Sequence, residues 1–179
     1  MNKTAIIIPS RLEAVRLPNK PLELINNKEM ILHVYEAAKK TNTGEVYVAT
    51  PDQKIIDLIK DVGGKAVLTS LDHQTGTDRV YEVFKNQLKS EPNVIVNLQG
   101  DMPNIDPKVI TNLISYMEEG KCDIGTLASS FSSDEEIAET RKILSVNGKF
   151  KTVNWVFGIK GLSYEQAQIA VEMLEQIEK

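Results

Sequence analysis

Apolar and polar positions divide the chain into short strands and longer helices. Ile6-Ile7-Ile8 is an unbroken β-branched run, which predicts a strand buried on both faces. Pro9 ends it, because proline offers no ladder donor. Met30 to Thr41 has helical spacing, with Ile31, Val34, Tyr35 and Ala38 on one side. Glu45 to Thr50 reads as the second strand. Asp52 is placed to cap a helix running to about Val62, with Ile55, Ile56 and Ile59 inward and Gly63-Gly64 as its stop. Ala66 to Thr69 is a short third strand. A polar loop, Ser70 to Gly76, follows, and Thr77 or Asp78 is expected to cap a helix to about Leu88. Glu91-Pro92-Asn93 is a turn, and Val94 to Leu98 is the fourth strand. The polar loop Gln99 to Pro103 leads to a helix opened by Asp106-Pro107, with Ile110, Leu113, Ile114 and Met117 as its apolar side. Asp123 to Ala128 reads as a fifth strand.

Strand and helix alternate, so the expected fold is α/β, a Rossmann-like, mostly parallel sheet with helices on both faces. Right-handed crossovers place the loops after strands one, three and four on one rim. Beyond Ala128 the pattern weakens. Asp134 to Thr140 reads as a short helix, and Lys142 to Phe157 mixes strand-like residues around an Asn147-Gly148 hairpin turn. Trp155 reads as core or packing surface. Ser163 to Lys179 reads as a helix with Ser163 and Gln166 as a capping box. No repeat, linker or boundary interrupts the chain, so residues 1–179 are expected to form one domain.

Composition narrows the picture a little. At 41% hydrophobic and 26% charged, the 179 residues are those of an ordinary globular domain. A formal charge of -4 argues against a general nucleic-acid binder, so any affinity for anions must be local. No apolar run reaches the roughly 20 residues of a membrane helix. Lys3 is followed by one short strand and then arginines, unlike a signal peptide. The single cysteine, Cys122, reads as a small apolar residue and excludes an internal disulfide. A cytoplasmic protein that contacts neither nucleic acid nor membrane is expected.

Three polar stretches on the expected rim could carry chemistry. The first loop holds Arg11, Arg16 and Lys20, spaced so that all three can converge on one anion. A solvated basic loop would look the same. In Leu98-Gln99-Gly100-Asp101, the Asp101 carboxylate is placed to hold Mg²⁺; an Asx-turn is the plainer reading. Asp72 to Arg79 sets hydroxyls and a glycine at a helix start, where backbone N–H groups favour an anion or a sugar hydroxyl; an ordinary cap explains it equally. His73 could serve as a base, but no nucleophile partner is evident, and His33 reads as a packed or surface histidine. Together the loops suit a nucleoside triphosphate with Mg²⁺.

These strings resemble a known family. Ile8-Pro9-Ser10-Arg11 through Arg16-Leu17-Pro18-Asn19-Lys20-Pro21-Leu22 is similar to the opening of the 3-deoxy-manno-octulosonate (Kdo) cytidylyltransferases, the CMP-Kdo synthetases of Gram-negative bacteria. Met30 to Glu36, Val48 to Asp52, Asp72 to Arg79 and Val96 to Pro103 resemble further family strings, in order, from about residue 4 to about residue 128. The resemblance implies a nucleotide-diphospho-sugar transferase fold and the reaction of CTP with Kdo to give CMP-Kdo and pyrophosphate, for lipopolysaccharide synthesis. It implies that Arg11 and Lys20 grip the triphosphate, with Arg16 supporting. Ser10 would lie against the cytidine, Gln99 and Thr75, Gly76, Thr77 and Arg79 would help hold the nucleotide, and Asp101 would ligate Mg²⁺. Arg11, Lys20 and Asp101 would form the catalytic set.

The chain also departs from the family. Met102 stands where the family has glutamate, and Ser163 where it has the aspartate of a second metal contact. Most of the acceptor-sugar and dimer-forming segment beyond Ala128 has no counterpart, as if shortened internally. Residues 1–128 are thus expected to be the nucleotide-binding part, and 129–179 a reduced acceptor part. The departures touch Kdo binding, homodimer formation and turnover more than CTP binding. Beside an active enzyme they leave a catalytically silent nucleotide-binding module of the same descent. A relative acting on another acidic sugar or a polyol phosphate is the third reading, against which the His73 to Arg79 string argues.

Overall fold

The computed structural model describes residues 4–13, 17–88, 92–120 and 123–127, and the backbone of 157–160. Arg16, Glu91, Cys122, the helix expected at Asp134, the Asn147-Gly148 turn, Trp155 and the helix expected from Ser163 lie outside the described residues. The chain runs β1 (Thr4–Pro9), a 3-10 turn (Lys20–Leu22), β2 (Leu24–Ile25), β3 (Lys28–Glu29), α1 (Met30–Lys40), β4 (Glu45–Thr50) and α2 (Gln53–Asp61). It continues through β5 (Lys65–Leu68), α3 (Gly76–Gln87), β6 (Val94–Asn97), α4 (Pro107–Glu118), β7 (Ile124–Thr126) and β8 (Phe157–Lys160).

The main sheet has the order β5-β4-β1-β6-β8-β7. Its first four strands are parallel, with Ile7 opposite both Tyr47 and Asn97. β8 then runs antiparallel to β6 and to β7. The fifth strand of the sequence reading is therefore present but shorter, and it does not pair with β6. A strand from later in the chain takes that place, which the local pattern of residues 123–128 does not reveal.

The Ile6-Ile7-Ile8 run is buried on both faces, as its lack of alternation requires. Ile6 and Ile8 point into the larger core, with Ile31 and Val34 of α1, Ile55 and Ile59 of α2, and Ile110 and Ile114 of α4. Ile7 points the other way, onto Val80 and Val83 of α3. Each fully buried isoleucine contributes about 1.5–3 kcal/mol of transfer free energy. β1 is buried along its whole length, and the loop at its end inherits that anchor.

Local chemistry sets the element ends. Gly63, at φ 71°, stops α2 in the left-handed conformation, and the Gly64 N–H closes back on the Ile59 carbonyl at 2.8 Å. Asn26 and Asn27, at φ 51° and 63°, make the tight turn of the small β2–β3 hairpin. α3 begins two or three residues earlier than expected. Thr75, rather than Thr77 or Asp78, is its cap, and Asp78 completes a capping box by accepting from the Thr75 N–H at 2.9 Å. Asp52 does occupy the cap position of α2, but its side chain makes no capping bond; it is used elsewhere.

Candidate active site

Parallel strands β1 and β6 part at their carboxyl ends, where the connections leave in opposite directions. In open α/β sheets this switch point is the usual ligand crevice. A cleft of about 270 Å³ lies there. The loops after the first, third and fourth strands of the sequence reading all reach it, as expected from the crossovers.

One wall comes from the ends of β1 and β6. The Leu12 N–H donates to Asp52 Oδ2 at 2.8 Å, which ties the β1 loop to the start of α2. Asn19, at φ 60°, closes the loop by donating its N–H to the Leu12 carbonyl at 3.0 Å. Arg11 is left exposed at the mouth. Lys20 Nζ lies 2.9 Å from Asp101 Oδ2, with both side chains about one-third exposed. Gly100 permits the approach of the two loops. A Cβ there would stand 2.9 Å from the Pro9 carbonyl oxygen and 3.3 Å from Ile31 Cδ1.

The facing wall is residues 69–79. Arg79 is 3% exposed, and its Nη1 donates to Thr69 Oγ1 at 2.6 Å and to the Ser70 carbonyl at 2.9 Å. Burial, and after it the charge of Arg11, lower its pKa; Asp52, Glu82 and Asp78 oppose the shift. A desolvated cation held by neutral acceptors and facing a second cation is costly without a ligand. Glu82 Oε2 accepts from the Ser70 N–H at 2.9 Å and from His73 Nε2 at 2.5 Å. Burial alone would raise the Glu82 pKa, but the Ser70 N–H, His73 and Arg79 outweigh it and the pKa is lowered.

Most of the expected site residues meet in this cleft: Ser10, Arg11, Lys20, Thr75, Gly76, Arg79, Gln99 and Asp101 all line it. Arg16 lies outside the described residues. Thr77 is not in the lining; its Oγ1 accepts from Asn97 Nδ2 at 3.5 Å and braces α3 against β6. Gln99 is oriented by donating Nε2–H to Asn97 Oδ1 at 2.9 Å. Ser10 is 8% exposed, and its hydroxyl has no hydrogen-bond partner among the described residues. Such an orphan calls for a ligand atom. His33, read as packed or surface, meets the Ile25 carbonyl at 2.8 Å, away from the cleft.

Two residues that matter here were not legible as site residues. Asp52 read only as a helix cap. Glu82 carries a signal: it stands one helical step from Arg79 at i+3, on the polar side of α3. Chemically, the lining sets the cations Arg11, Lys20 and Arg79 against the one carboxylate of Asp101. The N-terminus of α3 adds backbone N–H groups and a positive dipole end. An anion of extended shape fits this arrangement. Among the described residues no group of three or more His, Cys, Asp or Glu gathers to form a metal cage. Mg²⁺ commonly takes one or two protein carboxylates and draws its other oxygens from phosphate and water, and Asp101 fits that pattern.

Comparison with known proteins agrees with the geometry. The profile of the family described as cytidylyltransferase matches residues 5–151. The chain is 40% identical over 150 residues to a 3-deoxy-manno-octulosonate cytidylyltransferase of Rickettsia bellii, covering 83% of this chain and 62% of that protein. It is 40% identical over 135 residues to the Brucella ovis protein of the same name, covering 75% of this chain and 54% of the relative. The chain thus spans 54–62% of the length of these relatives. A CMP:2-keto-3-deoxy-manno-octonic acid synthetase solved with CTP superposes with a TM-score of 0.74 at 29% identity, over 98% of this chain and 85% of that one. A cytidylyltransferase from Leptospira borgpetersenii, at 21% identity and a TM-score of 0.66, over 98% of this chain and 72% of that one, shares the fold.

Proposed function

The chain belongs to the cytidylyltransferase family, and from that premise we propose that it joins CTP to Kdo, giving CMP-Kdo and pyrophosphate for lipopolysaccharide synthesis. The observation that carries this reading is the cleft at the β1/β6 switch point, which Arg11, Lys20 and Arg79 line together with the carboxylate of Asp101. The names of the relatives in Rickettsia and Brucella support Kdo as the acceptor.

In this reading Arg11 and Lys20 hold the triphosphate, with Arg16 supporting. Ser10, Gln99, Thr75, Gly76 and Arg79 hold the nucleoside, and Thr77 braces the helix that presents them. The anomeric oxygen of Kdo attacks the α-phosphorus. The new P–O bond forms as the bond to the β-phosphate oxygen breaks, and the hydroxyl proton passes to solvent. Lys20 and Arg11 stabilise the negative charge that grows on the departing pyrophosphate. Asp101 would hold Mg²⁺, which supplies further charge neutralisation on the phosphates when bound. In taking up that role Asp101 would exchange its contact with Lys20, which would free the lysine for phosphate. Residues 1–128 would form the nucleotide part and 129–179 the acceptor part of one domain, working in the cytoplasm. Among the described residues no helix is long and apolar enough to cross a membrane.

A second reading draws on the Lys20–Asp101 pair, which occupies both groups at once. If the exchange does not occur, the chain is a silent nucleotide-binding module. The test is release of pyrophosphate from CTP, with and without Kdo and Mg²⁺, beside calorimetric titration with CTP. Release that depends on both is expected. CTP binding without any release above background would leave only the module.

A further inference from the structure

The 69–75 loop forms a wall of the cleft, yet what holds it lies behind it. Glu82 is absent from the cleft lining and sits on α3, partly buried. Its single oxygen Oε2 receives the Ser70 N–H at 2.9 Å and His73 Nε2 at 2.5 Å. Ser70 in turn presents its carbonyl to Arg79 at 2.9 Å, beside Thr69 Oγ1 at 2.6 Å. His73, Thr75 and Arg79 all line the cleft. One carboxylate therefore fixes the loop, the ring of His73 and, through Ser70, the guanidinium of Arg79. The two walls also differ in chemistry. The Arg11 and Lys20 wall offers exposed charges, which suit phosphates. The 69–79 wall offers a buried guanidinium, a ring nitrogen and a helix cap, each held in one direction, which suits a group recognised by shape and directed hydrogen bonds.

We propose that Glu82 is the positioning residue of the nucleoside wall: it holds His73 and, through Ser70, Arg79 in the geometry that grips the nucleoside of the substrate, and has no part in holding its phosphates. With Glu82 ionised, His73 Nε2–H donates to it. In the neutral ring Nδ1 is then the acceptor, suited to a donor such as an amino group or a sugar hydroxyl. This rests on the reading of the cleft as a nucleotide site, and goes beyond it by separating the two walls.

The test compares CTP with inorganic tripolyphosphate, titrated by calorimetry into the full chain. Glu82→Ala removes two bonds to a charged acceptor, and CTP affinity is expected to fall about tenfold or more, with tripolyphosphate affinity unchanged within about twofold. Glu82→Gln keeps an acceptor oxygen and should restore most of the loss, to within about threefold of the parent. The ¹⁵N spectrum of the ligand-free chain should show His73 protonated at Nε2, and a mixed tautomer in Glu82→Ala. Equal weakening of both ligands, or no weakening of CTP, overturns the inference. Should Glu82→Ala fail to melt cooperatively, Glu82→Gln decides: a small loss for CTP alone supports the proposal, and no difference between ligands overturns it. If the parent chain binds neither ligand, the nucleotide reading of the cleft itself falls.

Discussion

The two walls of the cleft meet the same solvent but are held by different means. On the β1/β6 side, Lys20 and Asp101 meet across a partly exposed contact of 2.9 Å. Surface pairs of this kind contribute about 0–1 kcal/mol and exchange readily. On the α3 side, Thr69, Arg79, Ser70, Glu82 and His73 are linked by successive hydrogen bonds, most of them partly buried, and Thr75 and Asp78 are bonded to each other beside them in the capping box. Polar networks satisfied in this way are stiff, because breaking one bond orphans a neighbour. The contrast suggests a division of labour. A wall of exchangeable charges can pass from one another to phosphate and metal, while a fixed wall can discriminate shape and hydrogen bonding.

Arg79 offers the strongest way to break this comparison. Replacing it with methionine removes donors from Thr69 and Ser70, at about 1 kcal/mol each. It also removes a cation that is desolvated and faces Arg11, and relief of such a charge can offset several kcal/mol. The two effects oppose, so the melting temperature of Arg79→Met is expected to move by no more than about 3 °C. CTP affinity should nonetheless fall about 30- to 100-fold, the effect of losing charge-assisted bonds to a ligand. Thermal melts and titration on the same sample settle it. A drop of more than about 8 °C would mean that Arg79 holds the fold, and that the stiff wall is structural first.

Asp101 tests the exchangeable wall, with a smaller effect. Asp101→Ala should erase the part of CTP affinity that depends on Mg²⁺, about tenfold. CTP binding in EDTA should be kept, since Lys20 is released from its pair. A Mg²⁺-dependent gain that survives the substitution would refute the metal role of Asp101 and with it the exchange.

The difference between the walls also governs how much was legible beforehand. The Ile6-Ile7-Ile8 run, the helices and the alternating order follow from periodicity, and the sheet with helices on both faces appears as read, though of the expected caps only Asp106 caps its helix as read. Charged side chains in loops after strands are visible by charge and place, so Arg11, Lys20 and Asp101 are candidates before any geometry. The stiff wall was visible only in part. Thr75 and Arg79 lay in a recognisable string, but that Arg79 turns inward to Thr69 and Ser70 depends on packing across β5 and α3. Glu82 escaped notice because its partner Ser70 is twelve residues away. Asp52 read as a cap because Asp before a helix usually is one; here its carboxylate serves a loop forty residues distant in sequence. The insertion of β8 between β6 and β7 is likewise a long-range choice that no local pattern encodes.

Asp52 gives the mildest and most pointed test. Its Oδ2 accepts the Leu12 N–H at 2.8 Å, adjacent in the chain to Arg11, while its charge also favours the buried Arg79. It therefore serves both walls. Asp52→Ala removes the acceptor and the charge. Loss of a single partly buried bond of this type is about 1 kcal/mol, or about fivefold in affinity if all of it reaches the ligand. Asp52→Asn keeps an acceptor for Leu12 and loses only the charge. If the loop tether is what matters, asparagine restores CTP and tripolyphosphate binding together, because Arg11 regains its place. If the field on Arg79 is what matters, asparagine behaves like alanine, and CTP alone is weakened. Titration of both ligands against both variants separates the outcomes. Equal binding by all three chains would show that the β1 loop keeps its place without Asp52, and that the walls are less coupled than this shared carboxylate implies.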